Sequence, residues 1–404
     1  MSNARRSEGP ERLCAYPGAA ATSVDDRASF LRSALRPSWV EVDLGAVTHN
    51  VGVISAAIAP AGVCAVVKAN AYGHGDVPIA EAALAGGASQ LAVALVEEAI
   101  RLREAGVEAP ILLLSEPEPR DAGEVIAWDL LPTVYRLPFA SALAAVAPRP
   151  YPVHVKVDTG MHRVGAGASA AHELLAFIGS EPALELEAVW THFAVSESDE
   201  SFTLRQVSLF DDFVDAAEIA GSRPKYRHAA NTAAALLYPE TRYTFARIGL
   251  GIYGMRPAPD VAPELDLRPA MRVTSRVSMV RRLPAGARPS YGRNRPLAAD
   301  SFVATVPIGY ADGVSRRLAD ANAEVLIGGR RHPFAGAITM DQIVVEVGDT
   351  PVGVGDEVVL LGRQGDAEIT ADEWASRLDS INYEIVCDFG PRLPRRYHGA
   401  ASDD

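Results

Sequence analysis

The sequence is poor in cysteine and in long apolar runs. Its 404 residues include only three cysteines, at positions 14, 64 and 387, whose spacing fits neither a disulfide framework nor a cysteine zinc site. An uncharged stretch near the start, residues 51–67, is interrupted by Pro60 and Gly62 and is too broken to cross a bilayer. These absences argue against a disulfide-stapled secreted domain and against a membrane protein.

The sequence also has fewer basic than acidic residues. The chain carries 38 Lys and Arg against 51 Asp and Glu, a formal net charge of −13, whereas nucleic-acid binders usually show a basic excess. Residues 1–36 contain no apolar core of a secretory signal, and the low cysteine content fits a reducing compartment. We therefore predict a cytoplasmic protein that binds neither nucleic acid nor membranes.

Several common enzyme motifs are missing. There is no H-E-x-x-H pair, no G-x-S-x-G elbow and no Walker A loop, so we expect no metal site and no acyl transfer. The string GLGIYG at residues 249–254 matches G-x-G-x-x-G, but Arg256 and two prolines follow it and leave no helix to bind a dinucleotide. Its glycine amides could still hold a single phosphate.

The sequence does contain a regular alternation of apolar runs and amphipathic stretches from Trp39 to about Met271. Eight runs predict strands, at residues 62–67, 91–95, 111–115, 131–134, 152–157, 186–192, 224–229 and 246–250. Apolar residues three and four apart predict helices at residues 77–88, 97–106, 170–180 and 209–221. This rhythm fits a (β/α)8 barrel, although a doubly wound sheet would show the same alternation.

After Met271 the pattern changes to short strands bounded by glycine, proline and aspartate, at residues 272–280, 302–310, 324–329, 342–348 and 356–362. Thr370 and Glu373 have capping-box spacing and predict one helix. The expected fold is α/β, an N-terminal TIM-like barrel followed by a mostly β domain. The predicted boundaries are a flexible extension at 1–37, the barrel at 38–271, the β domain at 272–398 and a tail at 399–404.

Polar residues follow the predicted barrel strands, where a barrel places its chemistry. Lys68 is either a lysine whose amine reaches solvent at a strand end or a desolvated amine able to form a Schiff base. The string KVDTGMHRVG (156–165) is either a salt-bridged loop or a frame for an arginine that grips a carboxylate or a ring oxygen. Tyr291 and Tyr310 have the pattern of ordinary core tyrosines. Composition does not choose between these interpretations.

Nine strings together make the sequence resemble the alanine racemase family, fold-type III enzymes that depend on pyridoxal 5'-phosphate. They occur in family order between Trp39 and Tyr397: VVKANAYGHG (66–75), KVDTGMHRVG (156–165), WTHFA (190–194), HAANTAA (228–234), ARIGLGIYG (246–254), SYG (290–292), PIGYADG (307–313), TMDQ (339–342) and INYEI (381–385). The resemblance implies a barrel that binds the cofactor, a C-terminal β domain and a homodimer with shared active sites.

The resemblance also implies roles for individual residues. Lys68 would hold the cofactor as a Schiff base and serve as one base, and Tyr291 of the partner subunit would be the second base on the opposite face of a planar intermediate. The implied cofactor-binding residues are Lys68, Tyr72, Arg163, His192, Asn231, Thr232, Arg247, Gly249, Leu250 and Tyr383. Among them, Arg247 would face the pyridine nitrogen and Arg163 the phenolic oxygen.

The remaining implied roles concern the substrate. Arg163, Tyr310, Met340 and Asp341 would bind or frame the amino-acid carboxylate, Met340 through its backbone amide. Lys156 matches a position that is often carbamylated, where the added charge braces Arg163. Thr339 stands where many relatives have cysteine or serine.

The expected activity is the interconversion of L- and D-alanine, which supplies D-alanine for peptidoglycan. A serine or broad-specificity racemase is a second candidate, because one hydroxyl or methylene changes discrimination by only about 1–3 kcal/mol. A decarboxylase of the same cofactor fold and a non-enzymatic cofactor carrier are further alternatives. Tyr291 argues against the former and the β domain against the latter.

Overall fold

The structure is a computed structural model that describes residues 35–399. The predicted extension, residues 1–37, and the predicted tail, residues 399–404, lie almost wholly outside these described residues.

The first strand of the described chain belongs to the sheet of the second region. Strand β1 (Ser38–Asp43) pairs antiparallel with residues Met271–Arg276 and parallel with Arg395–His398. The range 38–271 that was predicted as barrel therefore includes one strand that the structure places elsewhere. The sequence of this strand, SWVEVD, gave no sign of which sheet it would join.

The next eight strands run parallel and close into a barrel. They are β2 (Gly62–Val66), β3 (Gln90–Val93), β4 (Ile111–Leu113), β5 (Thr133–Val134), β6 (Tyr151–Lys156), β7 (Leu184–Trp190), β8 (Tyr226–His228) and β9 (Phe245–Ile248). β9 pairs with β2, the Leu113 amide donates to the Leu131 carbonyl between β4 and β5, and the Arg247 amide donates to the Ala230 carbonyl beside β8. Each strand overlaps one of the eight predicted runs, and the closed ring decides for the barrel over the doubly wound sheet.

Helices connect the barrel strands. They are α1 (Leu44–Ile58), α2 (Asp76–Ala85), α3 (Val96–Glu104), α4 (Ala122–Ala127), α5 (Leu137–Val146), α6 (Ala168–Ser180), α7 (Glu200–Ile219) and α8 (Thr232–Leu237). In α1 the residues Val47, Val51, Ile54 and Ile58 are buried, and their spacing of three and four puts them on one helix face. Helix α7 begins well before the predicted residue 209, because the Asp199 carboxylate caps it by accepting from the Phe202 amide.

The second region is mostly β, as predicted. Its strands are β10 (Met271–Arg276), β11 (Met279–Leu283), β12 (Ser301–Val306), β13 (Glu324–Ile327), β14 (Arg330–Pro333), β15 (Ile343–Gly348), β16 (Glu357–Gln364), β17 (Ala367–Ile369) and β18 (Arg395–His398). One sheet has the order β14-β13-β16-β10-β1-β18, with β17 on β16, and a second has the order β11-β12-β15.

Two short helices, α9 (Ala371–Leu378) and α10 (Asn382–Cys387), follow the sheets. The predicted cap is present, since the Thr370 hydroxyl accepts from the Glu373 amide at 3.0 Å. Of the helices in residues 35–399, none is long and apolar enough to cross a membrane.

Candidate active site

A cavity of about 470 Å³ opens where the barrel strands end. Barrels place their chemistry at this edge because the loops that follow all eight strands meet there. Eleven of the residues predicted from the sequence line it: Lys68, Tyr72, Lys156, Arg163, His192, Asn231, Thr232, Arg247, Gly249, Leu250 and Tyr383. Tyr383 comes from α10, so the second region completes the wall of a cavity that the barrel builds.

Lys68 is followed by a turn in the left-handed backbone conformation, which is unfavourable for L-amino acids. It follows β2 directly, and the next four residues, Ala69 to Tyr72, have φ between 51° and 54°. Each such residue costs about 1–2 kcal/mol relative to a right-handed conformation. The Glu98 carboxylate, which is buried, holds the turn by accepting from the amides of Ala69 at 2.6 Å, Ala94 at 2.8 Å and Leu95 at 3.1 Å.

The Lys68 amine is shifted towards its neutral form. Burial is the main cause that lowers its pKa from the ordinary 10.5, and the positive charge of Arg163 lowers it further. The carboxylate of Glu98 opposes the shift without cancelling it. A neutral amine is the nucleophilic and basic form of lysine.

Arg247 is fixed more firmly than any other side chain described at this cavity. Its Nη1 donates to His228 Nδ1 at 2.8 Å, and its Nη2 donates to the carbonyls of Thr191 at 2.9 Å and Ala229 at 2.8 Å and to His192 Nδ1 at 3.0 Å. Burial lowers the pKa of Arg247 to about 10, and at neutral pH the guanidinium keeps its charge. Burial and the nearby Arg247 charge hold the pKa of His192 well below its usual range, so His192 is neutral.

Lys156 ends β6 and is almost completely buried, with 4% of its surface exposed. Its Nζ lies 4.2 Å from the centre of the Trp190 ring. Burial, together with Arg247 and Arg163, lowers the pKa of Lys156 from 10.5 to about 7. The loop that follows carries Arg163 and is held by the Asp158 carboxylate, which accepts from the amides of Gly160 and His162.

Small residues and hydroxyl groups line the end of the cavity next to β9. A Cβ on Gly249 would lie 2.6 Å from the Tyr72 hydroxyl oxygen, so only glycine leaves this approach open. The Thr232 hydroxyl accepts from the Gly251 amide at 3.4 Å, and burial raises the pKa of Tyr383 to about 12. These groups are neutral donors close to a chain turn, which suits a bound phosphate.

The other predicted residues lie in a separate, open cavity in the β domain. Tyr291, Tyr310, Met340 and Asp341 line it together with Thr339, and its volume is about 830 Å³. Tyr291 is 73% exposed and Met340 is 52% exposed. None of these residues is among those that line the barrel cavity. Within a single chain, therefore, Tyr291 and Lys68 lie in different cavities.

Known proteins share both halves of this arrangement. The profile of the alanine racemase N-terminal domain matches residues 42–257, and that of the alanine racemase C-terminal domain matches residues 270–397. A curated alanine racemase from Symbiobacterium thermophilum is 44% identical over 370 residues, which is 90% of this chain and 98% of the relative. A second, from Desulfovibrio desulfuricans, is 41% identical over 368 residues, with coverage of 90% and 98%.

The chain belongs to the alanine racemase family. A crystal structure of alanine racemase from Bacillus anthracis with bound L-Ala-P is similar to it throughout, with 37% identity, a TM-score of 0.85 and coverage of 91% of this chain and 97% of the other. The fold expected from the sequence is thereby confirmed at the level of the barrel followed by the β domain.

Two residues that contact the side chains or backbone of the barrel cavity, Trp190 and Glu98, were not predicted. Trp190 ends β7 and lies under the guanidinium of Arg247, 4.5 Å from ring centre to Cζ, as well as under Lys156. Its position directly before Thr191 and His192, at the end of an apolar run, was the available signal. Glu98 offered only its place in the first turn of α3, which is also where an ordinary helix-stabilising glutamate would lie.

Two residues that the sequence analysis singled out, Asn231 and Thr339, have hydrogen-bond partners within the chain. The Asn231 side-chain oxygen caps α8 by accepting from the Ala234 amide at 2.9 Å and also accepts from the Ser196 hydroxyl at 2.9 Å. Thr339, the departure from the commoner family residues, donates from its hydroxyl to the Gln342 carbonyl at 2.8 Å and accepts from the Gln342 amide at 3.2 Å. A serine could make the same two bonds.

Proposed function

We propose that this protein is an enzyme that interconverts L-alanine and D-alanine with pyridoxal 5'-phosphate as its cofactor. The observation that carries the proposal is a cavity at the strand ends of a family barrel that is lined by a half-buried lysine, Lys68, and by a firmly held arginine, Arg247. The predicted cytoplasmic location and the supply of D-alanine for peptidoglycan stay predictions.

The residues of the barrel cavity fit this cofactor. Four basic side chains and no acidic side chain are among its lining residues, which suits a phosphorylated ligand. Its volume of about 470 Å³ lies in the usual range for small-molecule sites. Within residues 35–399 the Tyr72 hydroxyl beside Gly249 and the Arg247 Nε–H have no protein partner, so both can serve a ligand.

We assign the holding roles on this basis. Tyr72, Thr232, Gly249, Leu250 and Tyr383 would surround the phosphate, and Lys68 would hold the cofactor covalently. Arg247 would donate to the pyridine nitrogen, and because arginine gives up a proton only with difficulty, it would leave that nitrogen unprotonated. Arg163 would contact the phenolic oxygen, with His192 beneath the ring and Asn231 beside it. The bound cofactor supplies an electron sink that makes the Cα proton of an amino acid labile.

Lys68 is the base proposed for one face of the substrate. Its lowered pKa favours a neutral Nζ, which can take the Cα proton. The turn held by Glu98 fixes where the Lys68 backbone lies, and the walls of the cavity bury part of its side chain.

Tyr291 is the base proposed for the opposite face, and it would come from a second copy of the chain. Its ring is largely exposed and lies in the open β-domain cavity with Tyr310, Met340 and Asp341. We propose a homodimer in which this face of one protomer covers the barrel cavity of its partner. There Tyr291 Oη would hold or accept the second proton, and the Met340 amide, with Tyr310 and Asp341, would frame the substrate carboxylate.

Lys156 is proposed to react with carbon dioxide. Since its pKa is lowered to about 7, much of it is a neutral amine near neutral pH. The nitrogen would form a bond to the carbon of CO₂ and lose one proton to solvent, which leaves a carbamate. The resulting negative charge would lie next to Arg163 and Arg247, whose charges now disfavour the ammonium form.

The direct test is to follow optical rotation of L-alanine and of D-alanine with the purified, cofactor-loaded protein. We expect both to reach the racemic mixture. Parallel rates with serine, lysine and arginine measure breadth, and a higher kcat/KM for one of these than for alanine would contradict the assigned substrate. Cofactor absorbance without any change of rotation would point to a carrier instead.

A further inference from the structure

A chain of hydrogen bonds links Arg247 to a carboxylate at the far end of the barrel interior. Arg247 Nη1 donates to His228 Nδ1 at 2.8 Å. His228 Nε2 lies 3.2 Å from His154 Nδ1, and His154 Nε2 lies 3.0 Å from the Glu187 Oε2 carboxylate oxygen. None of the roles assigned above uses His154 or Glu187.

Arg247 dictates the direction of every bond in this chain. A guanidinium only donates, so His228 Nδ1 must offer its lone pair, and the ring proton of His228 must be on Nε2. That proton is donated to His154 Nδ1, which leaves the His154 proton on Nε2 to be donated to Glu187. Glu187, an ionised acceptor, is the one group that ends the chain without an unpaired atom.

The charge states agree with this assignment. Burial, with Arg247 as the next cause, holds the pKa of His228 well below its usual range, so its ring is neutral. The hydrogen bond from His154 is the main cause that lowers the pKa of Glu187, which keeps its carboxylate ionised.

A β-bulge aims Glu187 at the histidine. Val153 of β6 pairs with Leu186 of β7, and the next residue, His154, pairs with Ala188, so Glu187 is the extra residue. A bulge turns a side chain away from the face that strand alternation would give it. The alternation along β7 is interrupted at the point where the chain of hydrogen bonds needs its acceptor.

The Glu187 end reaches a second cavity. This cavity of about 260 Å³ is lined by His154 and Glu187 with Gly62, Gln90 and Tyr226, which lie where β2, β3 and β8 begin. The Glu187 side chain is 19% exposed and that of His154 is 1% exposed. The chain of hydrogen bonds therefore runs from the candidate active site to the opposite mouth of the barrel.

We propose that Glu187 and His154 are positioning residues for Arg247. Glu187 fixes the tautomers of both histidines and so keeps the Nδ1 lone pair of His228 on the guanidinium. It also places a negative charge at the end of a chain whose other end is a buried cation that forms no ion pair within residues 35–399. The consequence for racemisation rests on the proposed function, and the tautomer assignment does not.

The first test reads the tautomers by nuclear magnetic resonance of the as-purified protein labelled with ¹⁵N-histidine. His154→Gln and His228→Gln variants assign the signals. We expect both rings to be neutral with the proton on Nε2. A proton on Nδ1 of His228, or a doubly protonated ring at neutral pH, would overturn the proposal.

The second test changes the acceptor. Glu187→Leu removes it, and we expect the signals of both histidines to move, kcat to fall about tenfold and KM to change less than twofold. Glu187→Gln keeps a weaker, neutral acceptor, so the tautomers should persist while the proton on His154 Nε2 moves upfield. An unmoved His154 signal in the glutamine variant contradicts the proposal even if the leucine variant does not fold.

Glu185→Leu is the matched control, because Glu185 is exposed on the same strand and outside the chain of hydrogen bonds. It should leave the histidine signals and kcat unchanged, and an effect equal to that of Glu187→Leu would overturn the proposal. A parent protein with the expected tautomers but no racemisation of alanine would instead refute the proposed function.

Discussion

The barrel cavity and the β-domain cavity differ in how complete they are. In the barrel cavity Arg247 is 3% exposed and Lys156 is 4% exposed, and four hydrogen bonds hold the guanidinium. In the β-domain cavity Tyr291 is 73% exposed and Met340 is 52% exposed.

This difference teaches that one chain builds its barrel half and its β-domain half by different means. The barrel cavity is assembled by strands of the same chain, and hydrogen bonds within that chain hold the Arg247 guanidinium before any ligand arrives. The β-domain cavity presents large apolar and aromatic groups to solvent, which is typical of a surface that becomes buried on association. The predictions below test whether the two halves work as one site.

The largest expected effect is that of Lys68→Ala. Because Lys68 is the proposed attachment point and one of the two bases, we expect no measurable racemisation and loss of the absorbance band of the covalently bound cofactor. Lys225→Ala is the control, since Lys225 is an exposed lysine outside the cavity and should leave both readouts unchanged. Retained activity in the Lys68 variant would show that Lys68 is neither the attachment point nor a required base.

Tyr291→Phe should have the next largest effect. Removal of one acid–base group typically costs about 10²–10⁴-fold in rate. We expect the loss in the L-to-D direction to differ from that in the D-to-L direction under initial-rate conditions, because Tyr291 serves one face. Tyr238→Phe, outside both cavities, is the control. A mild and equal loss in both directions would mean that another group is the second base.

Mixing the two inactive variants tests the comparison most directly. If Tyr291 of one protomer completes the cavity of its partner, a heterodimer of Lys68→Ala and Tyr291→Phe chains contains one intact site. Denaturing and refolding the mixture should then restore up to about a quarter of the parent activity, because half of the chains pair as heterodimers with one of two sites. No recovery, with the dimer confirmed by sedimentation, would contradict the shared site.

The stability of the barrel half should depend on pH through Lys156. Its pKa is about 7 in the folded protein and about 10.4 in an unfolded chain. Between these values the unfolded state binds more protons, so stability from this group rises with pH across the window. In buffer free of carbon dioxide, the Tm of the parent minus the Tm of Lys156→Met should therefore increase between pH 7 and pH 9.5.

Lys225→Met provides the control for this pH series, because Lys225 is exposed and its pKa is raised by the Tyr226 side chain. Its Tm curve should run parallel to that of the parent. A Lys156→Met curve that is also parallel would show that the buried amine is not neutral near pH 7.

The smallest expected effect is that of Thr339→Ser in the β-domain half. Serine keeps the hydroxyl that bonds Gln342, so kcat/KM should stay within about twofold of the parent. Thr339→Val removes the hydroxyl at similar volume and should reduce kcat/KM more, by loosening the turn that carries Met340. Equal rates for the serine and valine variants would show that these bonds do not shape the substrate site.

The sequence predicted the barrel because each of its eight strands is a short apolar run that ends in a polar or glycine-bearing segment. The predicted barrel range 38–271 included β1, which pairs with strands of the other region, since a strand's own pattern does not say which sheet it will join. Local strings revealed Lys68, Arg163 and Arg247. Nothing local revealed the interactions of Trp190 or Glu98 with them, because these contacts depend on how separate strands are brought together. The roles assigned to the site residues stay predictions.

The left-handed turn after Lys68 is conformationally strained. Four residues at φ above 50° store torsional energy of about 1–2 kcal/mol each, and the surrounding barrel and the Glu98 clamp keep it from being released. Moderate warming that breaks the Glu98 hydrogen bonds should let these residues return to a right-handed conformation. The Lys68 amine would then leave its position in the barrel cavity while the sheets remain folded. Thermal inactivation is therefore expected to begin below the melting temperature, as a local event and not as collapse of the whole molecule.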